Sequence, residues 1–307
     1  MFGVPSLFWA SVLAVLFHLA WTASAAKGTV KALSGDQVSW YKPFTYFASA
    51  TYCKPPTTLA WNCGVNCEAN PDFVPSASGG DGALTQYCKD LRYVGYDPGH
   101  TTVIVGYQGT NLTEFFADFT DANFFLAQLD PELFPGMRPP ILAHSGFLAA
   151  HARTSDAVFD AVKATIAAHP ADSVTVVGHS LGSALALLEA VSLQLRLPGM
   201  PVQHIGYGTP RVGNPDFAHW VDVHCPGRIT RIINSKDPVG IVPGQFLGYE
   251  HVAGEIYITD GGWMKCAGND NPSKQCATGD TVSVFAAEAE NHNGPFDGVK
   301  MGCPTTS

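Results

Sequence analysis

Ser173-Val-Thr-Val-Val-Gly-His-Ser180-Leu-Gly-Ser-Ala-Leu-Ala-Leu-Leu-Glu-Ala190 decides how this chain reads. The β-branched run Ser173–Val177 predicts a strand, and the run from Leu181 predicts a helix. Between them stands Gly178-His179-Ser180-Leu181-Gly182. A Gly-x-Ser-x-Gly on a strand-to-helix turn is a nucleophile elbow, which lifts a serine hydroxyl above the sheet. Glycines flank it because side chains there would strike neighbouring backbone. The helix N-terminus behind the serine favours developing negative charge. The competing reading, a serine that only caps a helix, accounts for neither the strand before it nor the paired glycines.

Working outward, short apolar runs alternate with helical stretches, the pattern of an α/β sheet. Strands are expected at Thr101–Tyr107, Ser173–Val177, Val202–Tyr207 and Ile229–Ile233, and helices at Thr154–His169, Leu181–Leu195 and Pro215–Val223. The Pro-rich segment 131–140 reads as irregular. In open α/β sheets ligands bind beyond the carboxyl ends of strands. Gln108-Gly109-Thr110 follows the first strand, Ser180 the second and Asp237 the fourth.

A serine hydroxyl needs a base, usually histidine, and a carboxylate to hold that histidine in one tautomer. In α/β-hydrolases the order is Ser, acid, His. Asp216 and Asp222 fall in a helical stretch, whereas Asp237 closes the Ile229–Ile233 strand, so Asp237 is the acid expected; its plainer reading is a turn-forming Asp before Pro238. Two histidines follow it. His292 lies in a Gly/Asn/Pro loop able to approach a neighbouring site, and His251 directly precedes the strand-like Glu255-Ile-Tyr-Ile-Thr259. The residues favour His292 and leave His251 open.

With 307 residues, 46% hydrophobic and 14% charged, the chain can bury one substantial core. A net charge of -9 without a Lys/Arg cluster argues against nucleic acid and anionic lipid as partners. Residues 7–21 are apolar and precede Thr-Ala-Ser-Ala-Ala, so residues 1–25 read as a secretory signal peptide and 26–307 as a single exported domain. All eight cysteines lie beyond that point, an even number in an oxidising compartment, which favours disulfides. Cys63-x3-Cys67 lacks the second ligand pair that a zinc site needs. No metal, organic cofactor or obligatory protein partner is expected.

Together these segments resemble the fungal class 3 lipase family, secreted α/β-hydrolases acting on triacylglycerols. The resemblance runs from about Tyr52 to Cys303. It is carried by Gln108-Gly109-Thr110, His144-Ser-Gly-Phe147, Gly178–Gly182, Gly208-Thr-Pro-Arg-Val-Gly-Asn214, Ser235-Lys-Asp-Pro238, Gly248-Tyr-Glu-His251 with Glu255, and His292 to Cys303. It implies an α/β-hydrolase fold, a mostly parallel central sheet with helices on both faces and a helical lid. It also implies Ser180 as nucleophile, Asp237 as acid and His292 as base, with His251 structural. The disulfides it implies are Cys53–Cys303, Cys63–Cys67 and Cys266–Cys276, leaving Cys88 and Cys225 over. Two positions depart from the family pattern: Gln108-Gly-Thr stands for Arg-Gly-Ser, and Asn-Gly-Pro-Phe follows His292 where an aromatic pair is usual.

The elbow itself positions the backbone N–H of Leu181 as one oxyanion donor; the resemblance makes Thr110 the other. Leu112, Phe115, Phe116 and Phe119 recur at i, i+3, i+4 and i+7, an amphipathic helix. That pattern alone fits ordinary core, but the resemblance implies a lid. Moving such side chains into water costs about 1.5–3 kcal/mol for each one fully buried, so activity is expected to rise at a lipid–water interface. Pro238, Val239, Ile241 and Val242 are candidates for an acyl-pocket wall. Asn111-Leu-Thr113 is the single glycosylation sequon, at the lid's first hinge. The expected reaction is hydrolysis of acylglycerol esters through an acyl-enzyme. The alternatives are a feruloyl-type or other carboxylic-ester esterase, and an inactive lipid-binding hydrolase fold.

Overall fold

The computed structural model describes residues 29–80, 92–110, 112–113 and 124–304. The expected signal peptide 1–25, Cys88, Asn111 and the expected lid residues Phe115, Phe116 and Phe119 lie outside the described residues.

Among the described residues, nine strands form one sheet, in the order β1-β11-β10-β9-β8-β7-β4-β3-β2. At its centre β4 (Thr102–Tyr107), β7 (Ser173–His179), β8 (Val202–Tyr207), β9 (Ile229–Asn234) and β10 (Glu255–Thr259) run parallel. The flanks are antiparallel: β2 (Val74–Gly79) and β3 (Arg92–Asp97) on one side, β11 (Gly262–Cys266) and β1 (Val30–Ala32) on the other. A separate ribbon pairs β5 (Leu126–Gln128) with β6 (Leu142–His144). The four expected strands are all present to within two residues at either end. Segment 131–140 forms only turns, with a cis bond at Pro139-Pro140.

Central strands here are apolar without alternation because both faces are covered, as parallel sheets require. Val103, Val105, Val174 and Val176 point into one core. Ile104, Val177, Ile205, Tyr207 and Ile232 point into the other, as period-two geometry dictates. Helix α1 (Lys42–Ala50) covers the second face with Phe44 and Phe47. Covering the first are α2 (Ser145–Ala152), α3 (Ser155–Ala168), α4 (Leu181–Arg196) and α5 (Pro215–His224). The expected helices thus recur as α3, α4 and α5, trimmed or extended by one residue at an end. Asn214 caps α5 through Phe217 N–H, ahead of Pro215 at the first turn.

Among the described residues, three disulfides link Cys53 to Cys303, Cys63 to Cys67 and Cys266 to Cys276. Cys225 is a buried free thiol. Glu255 lies beside Cys266 and Cys276, but both sulfurs are spent in the disulfide, so this cluster offers no metal-binding thiolates.

Candidate active site

Ser180 directly follows Ser173–His179 of β7 and is the N-cap residue of α4, in a conformation that few L-residues adopt, φ 59° and ψ -131°. What over-determines that turn is the packing of its glycines. A Cβ on Gly178 would meet Gly182 O at 2.3 Å, and one on Gly182 would meet Tyr107 O at 2.4 Å. The Ser180 N–H is held by Tyr207 O at 2.9 Å on β8. Leu181 is the first residue of α4, where backbone N–H groups have no partner within the helix. Gly109, just before Thr110, lies so close that its Cβ would stand 2.9 Å from Ser180 Cβ. The strand-end segment 108–110 therefore lies directly against the elbow.

Asp237 follows β9 and is fully buried. His292, on a short 3-10 helix (Ala289–Asn293), donates from Nδ1 to both Asp237 oxygens at 3.0 Å. Asp237 Oδ1 also accepts Val239 N–H at 2.8 Å. With Nδ1 carrying the proton, His292 Nε2 is left as the acceptor. Ser180 Oγ and His292 Nε2 are both buried, and neither finds a hydrogen-bonding partner among the described residues. The serine–histidine bond is not closed in this structure, a common state for such pairs before substrate arrives.

His251 is elsewhere. Its Nε2 donates to Gly240 O at 2.8 Å and its backbone N–H to Asp270 at 2.9 Å. Arg211 works on the same loop, donating to the carbonyls of Ile241 and Pro243 while paired with Asp270 at 2.6 Å. Both residues brace the loop that follows the acid. The seven-residue motif 208–214 was the sequence signal for Arg211, though it says nothing of the carbonyls that Arg211 would hold.

The structure divides the four acyl-wall candidates. Pro238 and Val239 are buried in the 3-10 turn (Pro238–Ile241), while Ile241 and Val242 line a groove of about 870 Å³. Opposite them stand Val282, Val284 and Phe285, so the groove runs between the loop after Asp237 and the segment before His292. Phe246 and Phe285 at its mouth are 90% and 97% exposed. Leu112 and Phe124 pack against the main core on either side of the undescribed stretch. Beyond His292, the unusual Asn-Gly-Pro-Phe run supplies Phe296, fully buried and edge-on to Tyr207 and His179.

Residues 104–247 match the pattern of the family described as Lipase (class 3). A secreted mono- and diacylglycerol lipase of Malassezia globosa is 37% identical over 164 residues, 52% of each chain, so this chain spans about half the length of that relative. A second from the same organism is 30% identical over 278 residues, 88% of this chain and 86% of the relative. Among solved structures, Lip2 lipase of Yarrowia lipolytica superposes with a TM-score of 0.78 at 25% identity, covering 90% of this chain and 98% of that one. Lipase II of Rhizopus niveus gives 0.74 at 26%, covering 90% and 100%. Among the described residues no helix is long and apolar enough to cross a membrane.

Proposed function

This chain belongs to the class 3 lipase family, and we propose that it is an exported serine hydrolase releasing fatty acids from acylglycerols, triacylglycerols included, at a lipid–water interface. One observation carries the reading: His292 Nδ1 is committed to Asp237, while His292 Nε2 and Ser180 Oγ are buried with their bonding capacity unspent. Relatives named as secreted lipases and three disulfides support export to an oxidising compartment.

In the first step His292 Nε2 takes the Ser180 proton as Oγ adds to the ester carbonyl. The oxyanion forms against the N–H groups of Leu181 and Thr110; removing one such donor typically costs about 10²- to 10³-fold in rate. Collapse breaks the ester bond, and the departing alkoxide leaves as alcohol with the proton from His292. Water then gives a proton to His292 and adds to the acyl carbon; a second collapse returns the proton to Ser180 and frees the acid. Asp237 stays ionised and stabilises the imidazolium formed in each half.

The groove lined by Ile241, Val242 and Val284 has the apolar lining an acyl chain requires. The apolar spacing of Leu112, Phe115, Phe116 and Phe119 in the sequence supports a lid role, with activity rising at a lipid surface. The deciding experiment compares wild type with Ser180→Ala on emulsified tri- and dioleoylglycerol. Wild type should release oleate and the variant about 10³-fold less or below. Release from neither substrate, or equal release by the variant, refutes the proposal.

A further inference from the structure

Tyr52 directly precedes Cys53, whose disulfide partner Cys303 lies beyond His292 in the same C-terminal segment. Its hydroxyl is 2.5 Å from His179 Nδ1, and His179 Nε2 is 2.8 Å from the His292 backbone oxygen. The His179 and His292 rings lie 4.4 Å apart. On its other side the Tyr52 hydroxyl lies against Gly109. A Cβ on Gly109 would stand 2.6 Å from it.

The direction of every bond in this chain is determined. Burial, reinforced by the neighbouring His292, holds His179 well below its usual 6.5, so the ring is neutral and has one N–H. A carbonyl can only accept, which puts that proton on Nε2. Nδ1 is then an acceptor and Tyr52 its donor. Burial likewise pushes the phenol above its usual 10, so the donor proton stays in place. The result is one relay, Tyr52 Oη–H to His179 Nδ1, then His179 Nε2–H to the carbonyl of His292, with Gly109 packed against its first member.

We infer that Tyr52 is a positioning residue, which through His179 sets the backbone of His292 against the segment that carries Thr110. This rests on the serine-hydrolase reading above. The Tyr52 hydroxyl donates to His179 and lies against Gly109, so the relay joins both of the loops that must meet around Ser180. A displacement of about 1 Å at a reacting group can cost about a hundredfold in rate, so a relay of this kind acts on turnover more than on substrate binding.

The test uses purified full-length chain and soluble p-nitrophenyl butyrate. Tyr52→Phe keeps the ring and deletes the hydroxyl; kcat should fall about tenfold or more, with KM within twofold and the melting temperature showing that the variant folds. Fluorophosphonate labelling of Ser180 should slow in parallel. His179→Leu removes the relay's centre and should cost at least as much. The double variant should lose little beyond the worse single one, because both break one chain. Full kcat in a folded Tyr52→Phe, or losses that multiply in the double variant, overturns the inference alone. Wild-type protein that neither turns over the ester nor takes the label refutes the serine-hydrolase reading and this inference with it.

Discussion

Gly208→Ala should disable the site from a position that carries no chemistry. Gly208 follows β8 with φ +56°, anchored by its N–H to Ile232 O at 2.8 Å. A Cβ there would meet Asp237 Oδ2 and His292 Cε1 at 2.9 Å and His292 Nδ1 at 3.0 Å. These are the two partners of one hydrogen bond, itself 3.0 Å long. Carbon contacts relax to about 3.5 Å or more, so the ring, the carboxylate or both must withdraw by about half an ångström. Given the steep cost of misplacement, kcat on a soluble ester should fall about 10- to 100-fold. The left-handed backbone adds about 1–2 kcal/mol of destabilisation for alanine, or roughly 2–8 °C in melting temperature at this size. Gly227→Ala supplies the control: φ is +71° and nothing lies within 4 Å of its Cβ. It should lower the melting temperature comparably and leave kcat alone. Full activity in folded Gly208→Ala would refute the claim that the Asp237–His292 contact governs turnover.

Two further outcomes follow from burial and exposure. Burial holds His144 down at about 4 and His204 at about 3, against 6.5 when unfolded. Below pH 6.5 the unfolded chain therefore binds protons that the native one refuses. Stability should fall as pH drops from 6.5 towards 4, by about 1.4 kcal/mol per unit for each histidine, and these two groups add no slope above 6.5; equal urea midpoints at pH 7.0 and 4.5 would contradict this. Replacing the exposed Phe246 and Phe285 with serine should reduce release from emulsified triolein several-fold while sparing p-nitrophenyl butyrate; equal losses on both substrates would remove these rings from any role at the lipid surface.

The parts of this fold that were legible in the sequence are those in which strand, turn and helix are contiguous. Ser173–Val177, the glycines around Ser180 and the run from Leu181 report a local geometry, because the residues that make the turn also pack it. The edge strands were not legible: β2, with its alternating exposure, and the three-residue β1 carry little apolar signal and owe their pairing to neighbours remote in sequence. The two late histidines show the same limit. What separates them is tertiary: His251 is spent on Gly240 O, His292 on Asp237.

That difference has a structural cause. Ser180 and Asp237 each stand directly after a parallel central strand, so the sheet fixes them. His292 comes after the last strand of the sheet, on a turn that no strand delivers. Its place must be imposed by cross-links, and the structure supplies them from every side. Asn234 holds Asn291 O at 2.9 Å, Lys236 O receives Glu288 N–H at 2.9 Å, and His179 takes the carbonyl of His292 itself. Phe296 wedges against Tyr207, and Ser49 and the Cys53–Cys303 bond hold the end of the segment to α1 and the chain that follows it. None of these partners is near His292 in sequence. A base carried on such a loop depends on distant residues for its aim, which is why Tyr52, joined to that set through His179 and lying against Gly109 on the opposite side of the site, is the one whose loss should register in turnover.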